Sequence, residues 1–255
     1  MVNYDLVLLT YERMEVVERT LQYNLANAGK QIDHLIHVDN GSKQDLVSMV
    51  CNVVSEHRAA VKEFTQIRFE QNKGVSYGYN TGIVAGRGDF VIFNGCDWYM
   101  PDNWLKTYDE YIEAIPNTGG ACMLQLPLKH PDMAPLRLGA SSERKLYNGK
   151  EIEPCLLFSR RCVRRDLYRK AGYFREDFLP YGYEDNEWHQ RAWTEANAND
   201  WVNYNIPDCM PVDADTPKDR EKYEKYWNWK KECRIKGAEI MKTVEQAGFP
   251  HYSPY

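Results

Sequence analysis

The chain has 255 residues with 43% hydrophobic and 27% charged side chains, an ordinary globular balance with enough apolar mass for one large core or two small ones. A net charge of −5 with an isoelectric point near 5.8 excludes a protein built as a whole to coat nucleic acid. Seven scattered cysteines without a C-x-x-C pair exclude a disulfide frame or zinc ribbon, and read as free thiols in a reducing, cytoplasmic setting.

In chain order, Met1 to Thr10 reads as a short apolar strand centred on Leu6–Leu9, not as a signal peptide. A continuous apolar run of this kind suits a strand buried on both faces. Val16, Val17, Thr20, Leu21 and Leu25 recur at helical spacing. Ile32 to Val38 is a second strand, ending in the turn-forming residues Asp39-Asn40-Gly41-Ser42. Asp45 to Ala60 reads as a helix, Thr65 to Glu70 as a strand, Val75 to Gly86 as a helix and Asp89 to Phe93 as a buried strand. This alternation predicts a Rossmann-like, mostly parallel α/β sheet flanked by helices. Further on, Pro101 to Ile115 reads as a helix with proline in its first turn. Cys155 to Ser159 reads as a strand, Val163 to Lys170 and Glu184 to Ala196 as helices, and 197 to 217 as loop. Lys218 to Gln246 is a long polar helix carrying Tyr223, Tyr226, Trp227 and Trp229. No apolar run approaches the roughly 18 residues that cross a bilayer. The expected division is one catalytic domain over 1–217, with a nucleotide-binding half (1–100) and an acceptor half (101–217), then a C-terminal helix and tail (218–255).

Several chemistries are missing. There is no G-x-G-x-x-G after a strand and no G-x-x-x-x-G-K-[ST]. His34 and His37 lie three apart on a strand and read as structural or exposed, not as zinc ligands. The 18 Tyr and 7 Trp mainly fill a core, although their flat faces also suit bases and sugars. Four segments carry the functional reading. Asp39 in HVDNGS is a carboxylate at a strand's carboxyl end, where open α/β sheets bind ligands. Asn72-Lys73-Gly74, with Asn80 and Gly82 beyond, offers amides and close backbone approach. Asp97 in NGCDWYMPDNWL follows a buried strand and is the oxygen ligand that magnesium or manganese requires beside a polyphosphate. Glu184 and Asp185 in YGYEDNEWHQR open a helix, where the dipole favours acids.

Taken together and in this order, these segments resemble glycosyltransferase family 2 and its GT-A relatives over roughly residues 3 to 195. VDNGS is similar to the family's base-binding segment. NKGVSYGYNTGIVAGRGDFVIFNGCDWYMPDNWL is similar to the stretch running into its metal motif. LFSRRCVRRDLYRKAGYFREDFLPYGYEDNEWHQRA is similar to the segment ending in its Glu-Asp motif. The resemblance implies a GT-A fold and transfer of a sugar from a nucleotide-sugar donor, expected to be a UDP-sugar, with inversion and with Mn2+ or Mg2+ as cofactor. It implies that Asp39 binds the base, that Asn72, Gly74 and Asn80 line the nucleoside pocket and that Thr10, Tyr11 and Glu12 edge it. Asp97 would hold the metal, Asp185 would be the general base, and Glu184 would orient it or the acceptor.

Two departures stand out. Gly95-Cys96-Asp97 keeps one carboxylate where relatives often have two, which leaves metal use open. The late metal-ligating histidine is also missing, and Asp213 or Asp215 in VDADT are candidates for its role. Arg160, Arg161, Arg164, Arg165, Arg169 and Lys170 crowd one stretch. If helical, Arg161, Arg165 and Arg169 share a face, which is either solvated or a site for a polyanionic acceptor such as a phosphate-bearing glycan or modified nucleic acid. The rival readings are a nucleotide-sugar-binding module without turnover and a sugar-nucleotide pyrophosphorylase. The latter lacks support because TYERMEVV stands where a Gly-rich, Arg-containing loop belongs.

Overall fold

The computed structural model of the chain describes residues 2–123, 144–154, 161–207 and 209–254; the expected strand 155–159 lies outside them. The apolar run near the N-terminus forms β1 (Tyr4–Thr10), followed by α1 (Met14–Ala26), β2 (Ile32–Asp39), α2 (Leu46–Glu56), β3 (Val61–Arg68), α3 (Val75–Ala85) and β4 (Phe90–Phe93). These four strands are parallel and lie in the order β3-β2-β1-β4. The reversal of direction after β3 puts α3 on the opposite face from α1 and α2. A crevice therefore opens at the carboxyl ends of β1 and β4, the switch point at which such sheets take ligands.

The remaining elements are β5 (Trp98–Tyr99), α4 (Trp104–Ala114), β6 (Thr118–Cys122), β7 (Lys145–Tyr147), β8 (Lys150–Pro154), β9 (Arg161–Arg164), α5 (Arg165–Ala171), α6 (Glu184–Ala198), β10 (Val202–Asn205), β11 (Val212–Asp213), α7 (Pro217–Lys222) and α8 (Glu224–Gln246). Among the described residues the main sheet has nine strands in the order β3-β2-β1-β4-β9-β6-β10-β8-β7, with β9 antiparallel to both β4 and β6. β5 and β11 form a separate small pair. Among the described residues no helix is long and apolar enough to cross a membrane.

Side-chain alternation explains why β1 is apolar throughout. Leu6 and Leu8 pack into the layer shared with α1, α2 and α4, whereas Val7 packs into the layer shared with α3, α5 and α6. In that second layer Tyr168 stacks on Trp188 at 4.7 Å and Phe174 fills the space beside them.

Several boundaries differ from the sequence reading. The helix expected to reach Ala60 stops at Glu56, and β3 starts at Val61. Helix α4 begins at Trp104 behind Asn103 in the left-handed region, so Pro101 precedes it instead of lying in its first turn. The stretch read as loop contains β10 and β11, whose alternating polar residues mask short strands. The long C-terminal helix is two: a capping box at Thr216 starts α7, and α8 restarts after Tyr223.

The basic stretch is the largest correction. Residues 161–164 are strand, so Arg161, Arg165 and Arg169 share no helical face, and Arg160 lies outside the described residues. Arg165 is buried: its guanidinium pairs with Asp5 and donates to the carbonyls of Gly88 (2.6 Å) and Ile83 (2.5 Å). Breaking a buried pair strands the remaining charge, at about 3–5 kcal/mol. Arg165→Met is therefore expected to lower the urea midpoint by that loss at an unchanged denaturant slope. A variant as stable as wild type would show that Asp5 finds water or another partner.

Candidate active site

The floor of the crevice is built where β1 and β2 end side by side. Thr10 pairs in register with Asp39, and its Oγ1 bonds His37 Nε2 at 2.8 Å while His37 Nδ1 faces Gln66 Oε1 at 2.7 Å. The glutamine oxygen can only accept, so Nδ1 carries the proton and Thr10 donates to Nε2. Burial pushes His37 down to about 4, which keeps it neutral and outweighs Gln66 and Asp39. Asp39 is fully buried. Its Oδ1 accepts from the Ser42 amide at 3.1 Å, whereas Oδ2 is ion-paired with Arg68 Nε at 3.4 Å but has no hydrogen-bond partner among the described residues. Glu12 clamps this turn to the next: its amide donates to Ser42 Oγ and its Oε1 accepts from the Lys43 amide. Glu12 and Arg13 are both left-handed, with φ of 54° and 60°. This conformation is costly for such side chains and sets Arg13 as it enters α1.

The 72–74 loop borders the same turn. Asn72 Oδ1 accepts from the Gly74 amide at 2.8 Å and from Asn40 Nδ2 at 3.1 Å, while Asn40 Oδ1 accepts from the Lys73 amide. Asn40, which the sequence reading placed only in a turn, is thus the brace between the two loops. Asn80 is not at the crevice surface. It is 0% exposed, donates to the Phe174 carbonyl and Glu176 Oε1, and accepts from the Phe174 amide. Its expected role in lining the nucleoside pocket gives way to a structural one, because its whole amide is engaged in tying α3 to the 174–176 turn.

At the end of β4, Asn94 is buried with neither side-chain atom hydrogen-bonded to a described residue. Beyond it stands Asp97, and the β5–β11 pair brings the 213–215 acids alongside by placing Asp213 opposite Trp98. The acids are bridged by a cation from the protein itself. Arg13 Nη1 lies 3.1 Å from Asp97 Oδ2, and Arg13 Nη2 pairs with Asp215. Asp213 turns away, accepting from the Asp215 amide at 2.8 Å and from Arg220 at 2.9 Å, so Asp215 is the acid that joins Asp97. This arrangement does not fit a divalent ion. Beside a diphosphate, magnesium or manganese is held by one or two carboxylates that face it, and the two that approach each other here, Asp97 and Asp215, already hold a guanidinium; among the described residues no cluster of three or more His, Cys, Asp or Glu offers another site.

The acid pair opens α6 behind Tyr183, a left-handed N-cap with φ of 70°. Asp185 side-chain exposure is 25%, and its Oδ1 accepts from Arg161 Nη1 at 3.0 Å, leaving Oδ2 open. Arg161 is buried over Phe93, Phe174 and Trp188 at 4.9–5.4 Å. It reaches the crevice because β9 runs antiparallel, so its first residue sits beside Phe93, the last of β4. Glu184 points inward, accepting from the Gly182 amide at 2.6 Å. Burial first, and the Asp185 charge second, push Glu184 up to about 7.

Helix α8 lies over this region. Trp229 packs on Tyr11 with ring centres 5.8 Å apart, Tyr226 and Trp227 face the Arg13 guanidinium at 5.1 and 5.2 Å, and the Lys230 ammonium sits 4.4 Å from the Tyr181 ring. At the loop before the acid pair, a Cβ on Gly237 would come 2.5 Å from the Gly182 carbonyl.

The sequence pattern described as glycosyl transferase family 2 matches residues 5–170, more than half of the chain. The chain belongs to that family. Its fold is GT-A, as in three solved structures of low identity. S. aureus TarS 1–349 is 18% identical with a TM-score of 0.60, covering 86% of this chain and 62% of that one. Mannosyltransferase PcManGT from Pyrobaculum calidifontis, in complex with GDP-Man and Mn2+, is 18% identical with a TM-score of 0.60, covering 85% and 58%. GalNAc-T7 with UDP, GalNAc and Mn2+ is 12% identical with a TM-score of 0.61, covering 84% and 44%. The chain thus spans less than two thirds of each of these structures. No curated protein matches the sequence.

In this family 2 chain, three cations at the crevice escaped the sequence reading of the site: Arg13, Arg161 and Lys230. Arg161 belongs by sequence to the basic stretch, and nothing local marks the other two. The acid pair generates a stability prediction. Below pH 4.5 Glu184 is protonated in both the folded and unfolded chain. Between 4.5 and about 7 the unfolded chain has lost a proton that the folded one keeps, so stability falls as pH rises, and above that it levels off. Glu184→Gln keeps the acceptor for Gly182 and removes the titration. Melting temperatures from pH 4 to 8 are expected to show the variant gaining on wild type through this window. Parallel curves would mean that Glu184 is ionised in the fold.

Proposed function

We infer that the chain is an inverting glycosyltransferase that moves a sugar from a UDP-sugar to a hydroxyl acceptor. The observation that carries this reading is the state of Asp185. It is a partly exposed carboxylate at a helix N-terminus, oriented through one oxygen by Arg161 and open at the other, beside the end of β4. In one displacement the acceptor hydroxyl gives its proton to Asp185 and its oxygen bonds the anomeric carbon. The carbon–oxygen bond to the diphosphate breaks, its electron pair leaving on the β-phosphate. Attack from the opposite side inverts that centre. Arg161 positions the base and stays protonated, its pKa raised by Asp185 against the opposing effect of burial.

On the donor side, Asp39 Oδ2 is a buried acceptor without a hydrogen-bond donor, which suits the imide N–H of uracil. Tyr11 supplies a flat face, Thr10 and Glu12 fix the turn, and the Asn72–Gly74 loop closes the side. TarS structures hold UDP and UDP-GlcNAc, in line with a uridine donor here. Residues 1–217 form the catalytic body in this reading, and the free thiols, Cys51 and Cys96 among them, agree with a cytoplasmic setting.

UDP is expected to raise the melting temperature by linkage, and Asp39→Ala to reduce that rise. Stabilisation by GDP or dTDP and not by UDP would overturn the uridine assignment. Asp185→Asn is expected to lower kcat by about 10²–10⁴-fold with UDP affinity nearly unchanged, since it removes proton acceptance and keeps the shape. From an α-linked donor the product is expected to be β-linked. A wild-type rate in the variant, or retained configuration, would remove Asp185 from this role.

A further inference from the structure

The crevice contains a set of hydrogen-bond donors that no described residue satisfies. Arg13 Nε, Trp227 Nε1 and the Tyr223 hydroxyl are each buried without a hydrogen-bond partner. The rings that carry the last two flank the Arg13 guanidinium, Trp227 at 5.2 Å and Tyr223 at 5.9 Å. Buried donors without acceptors are costly, on the order of 1–3 kcal/mol each, unless a ligand supplies the acceptors. A second cation stands beside them. The Lys230 ammonium lies over Tyr181, Tyr226 and Trp227 at 4.4, 5.3 and 5.1 Å, and among the described residues it has no carboxylate within ion-pair distance. Donors without acceptors, beside an ammonium without a paired carboxylate, call for an anion. Asp97 and Asp215 engage the two Nη atoms of Arg13 and so hold the guanidinium in place while leaving Nε unused.

We propose that Arg13 and Lys230, with the Trp227 and Tyr223 donors, bind the donor's diphosphate and supply the positive charge that a divalent ion supplies elsewhere. This rests on the nucleotide-sugar reading given above. As the bond from the anomeric carbon to the diphosphate oxygen breaks, the electron pair collects on the β-phosphate, where the two cations stabilise it. The acceptor's proton goes to Asp185, so no further reactant enters. A fixed guanidinium and ammonium in a half-buried site need no reorganisation as that charge develops. Asp97 thereby changes role, from metal ligand to the group that orients Arg13. The charged form of Lys230 is favoured: burial opposes it, but Tyr181, Tyr226 and Asp97 raise its pKa on balance.

The test compares UDP with uridine by calorimetry on the full chain in excess chelator, because the difference between the two reads the diphosphate contact alone. Wild type is expected to bind UDP more tightly than uridine without any metal. Lys230→Met, on the outer helix, is expected to shrink that advantage about tenfold or more while leaving uridine affinity unchanged. Arg13→Lys is expected to shrink it less than Arg13→Met. A far-ultraviolet spectrum checks folding, because the Met variant leaves two acids unpaired. If UDP gains over uridine only when Mn2+ is added, the proposal is overturned while the transferase reading stands. If the Lys230 change weakens UDP and uridine equally, the residue is structural and the proposal is likewise overturned. If UDP, GDP and dTDP all fail to bind with and without Mn2+, the donor reading itself falls and takes this inference with it.

Discussion

A guanidinium removed from water must bring its counter-charge with it, and two such groups organise the carboxyl edge of this sheet. Losing hydration costs each ion several kcal/mol, recovered only by close pairing. Arg161 therefore fixes Asp185 at the start of α6, and Arg13 fixes Asp97 and Asp215 on either side of itself. In each case aromatic faces close the remaining sides, adding attraction for the cation without adding another charge. The two halves of the crevice thus follow one rule: an acid is held by an arginine whose own location is set by apolar packing.

This division also explains what was legible in the sequence. Strands β1, β2 and β4 are buried on both faces, so their apolar runs announce them. β6, with the sequence TGGAC, and β10, with VNYN, carry no such run, because glycine and asparagine occupy sites that the sheet's neighbours bury. β9 reads as a charged helix because its arginines hide the strand pattern. For the site, Asp39, Asp97, Glu184 and Asp185 were visible because strand ends and helix starts are local features. Arg13 and Arg161 were not, because their partners are distant in the chain, as with Arg13 and Asp215. Asn80 shows the opposite failure. A residue with suitable chemistry near the right loop is turned inward by a contact with Phe174 that no local pattern encodes.

The antiparallel course of β9 changes what the sheet can present. A parallel strand offers its last residues to the crevice, and those precede a helix or loop. β9 offers its first, Arg161, so a long cationic side chain enters from inside the sheet instead of from a loop above it. Position and rigidity come together, since the strand is hydrogen-bonded on both sides.

The close approach of Gly237 to Gly182 gives α8 a notch. A slide by one turn, about 5.4 Å, would bring Cys233 or Met241 to a gap in which even a methyl group would lie 2.5 Å from a carbonyl oxygen. The helix therefore has one seating, and it is keyed to the loop, not merely laid across it. Lys230 lies seven residues before the notch, two turns along the same face. The distance from that keyed point to the ammonium is set by helix geometry alone, so the loop that leads into Glu184 and Asp185 acts as the datum from which the cation over the opposite half of the crevice is measured.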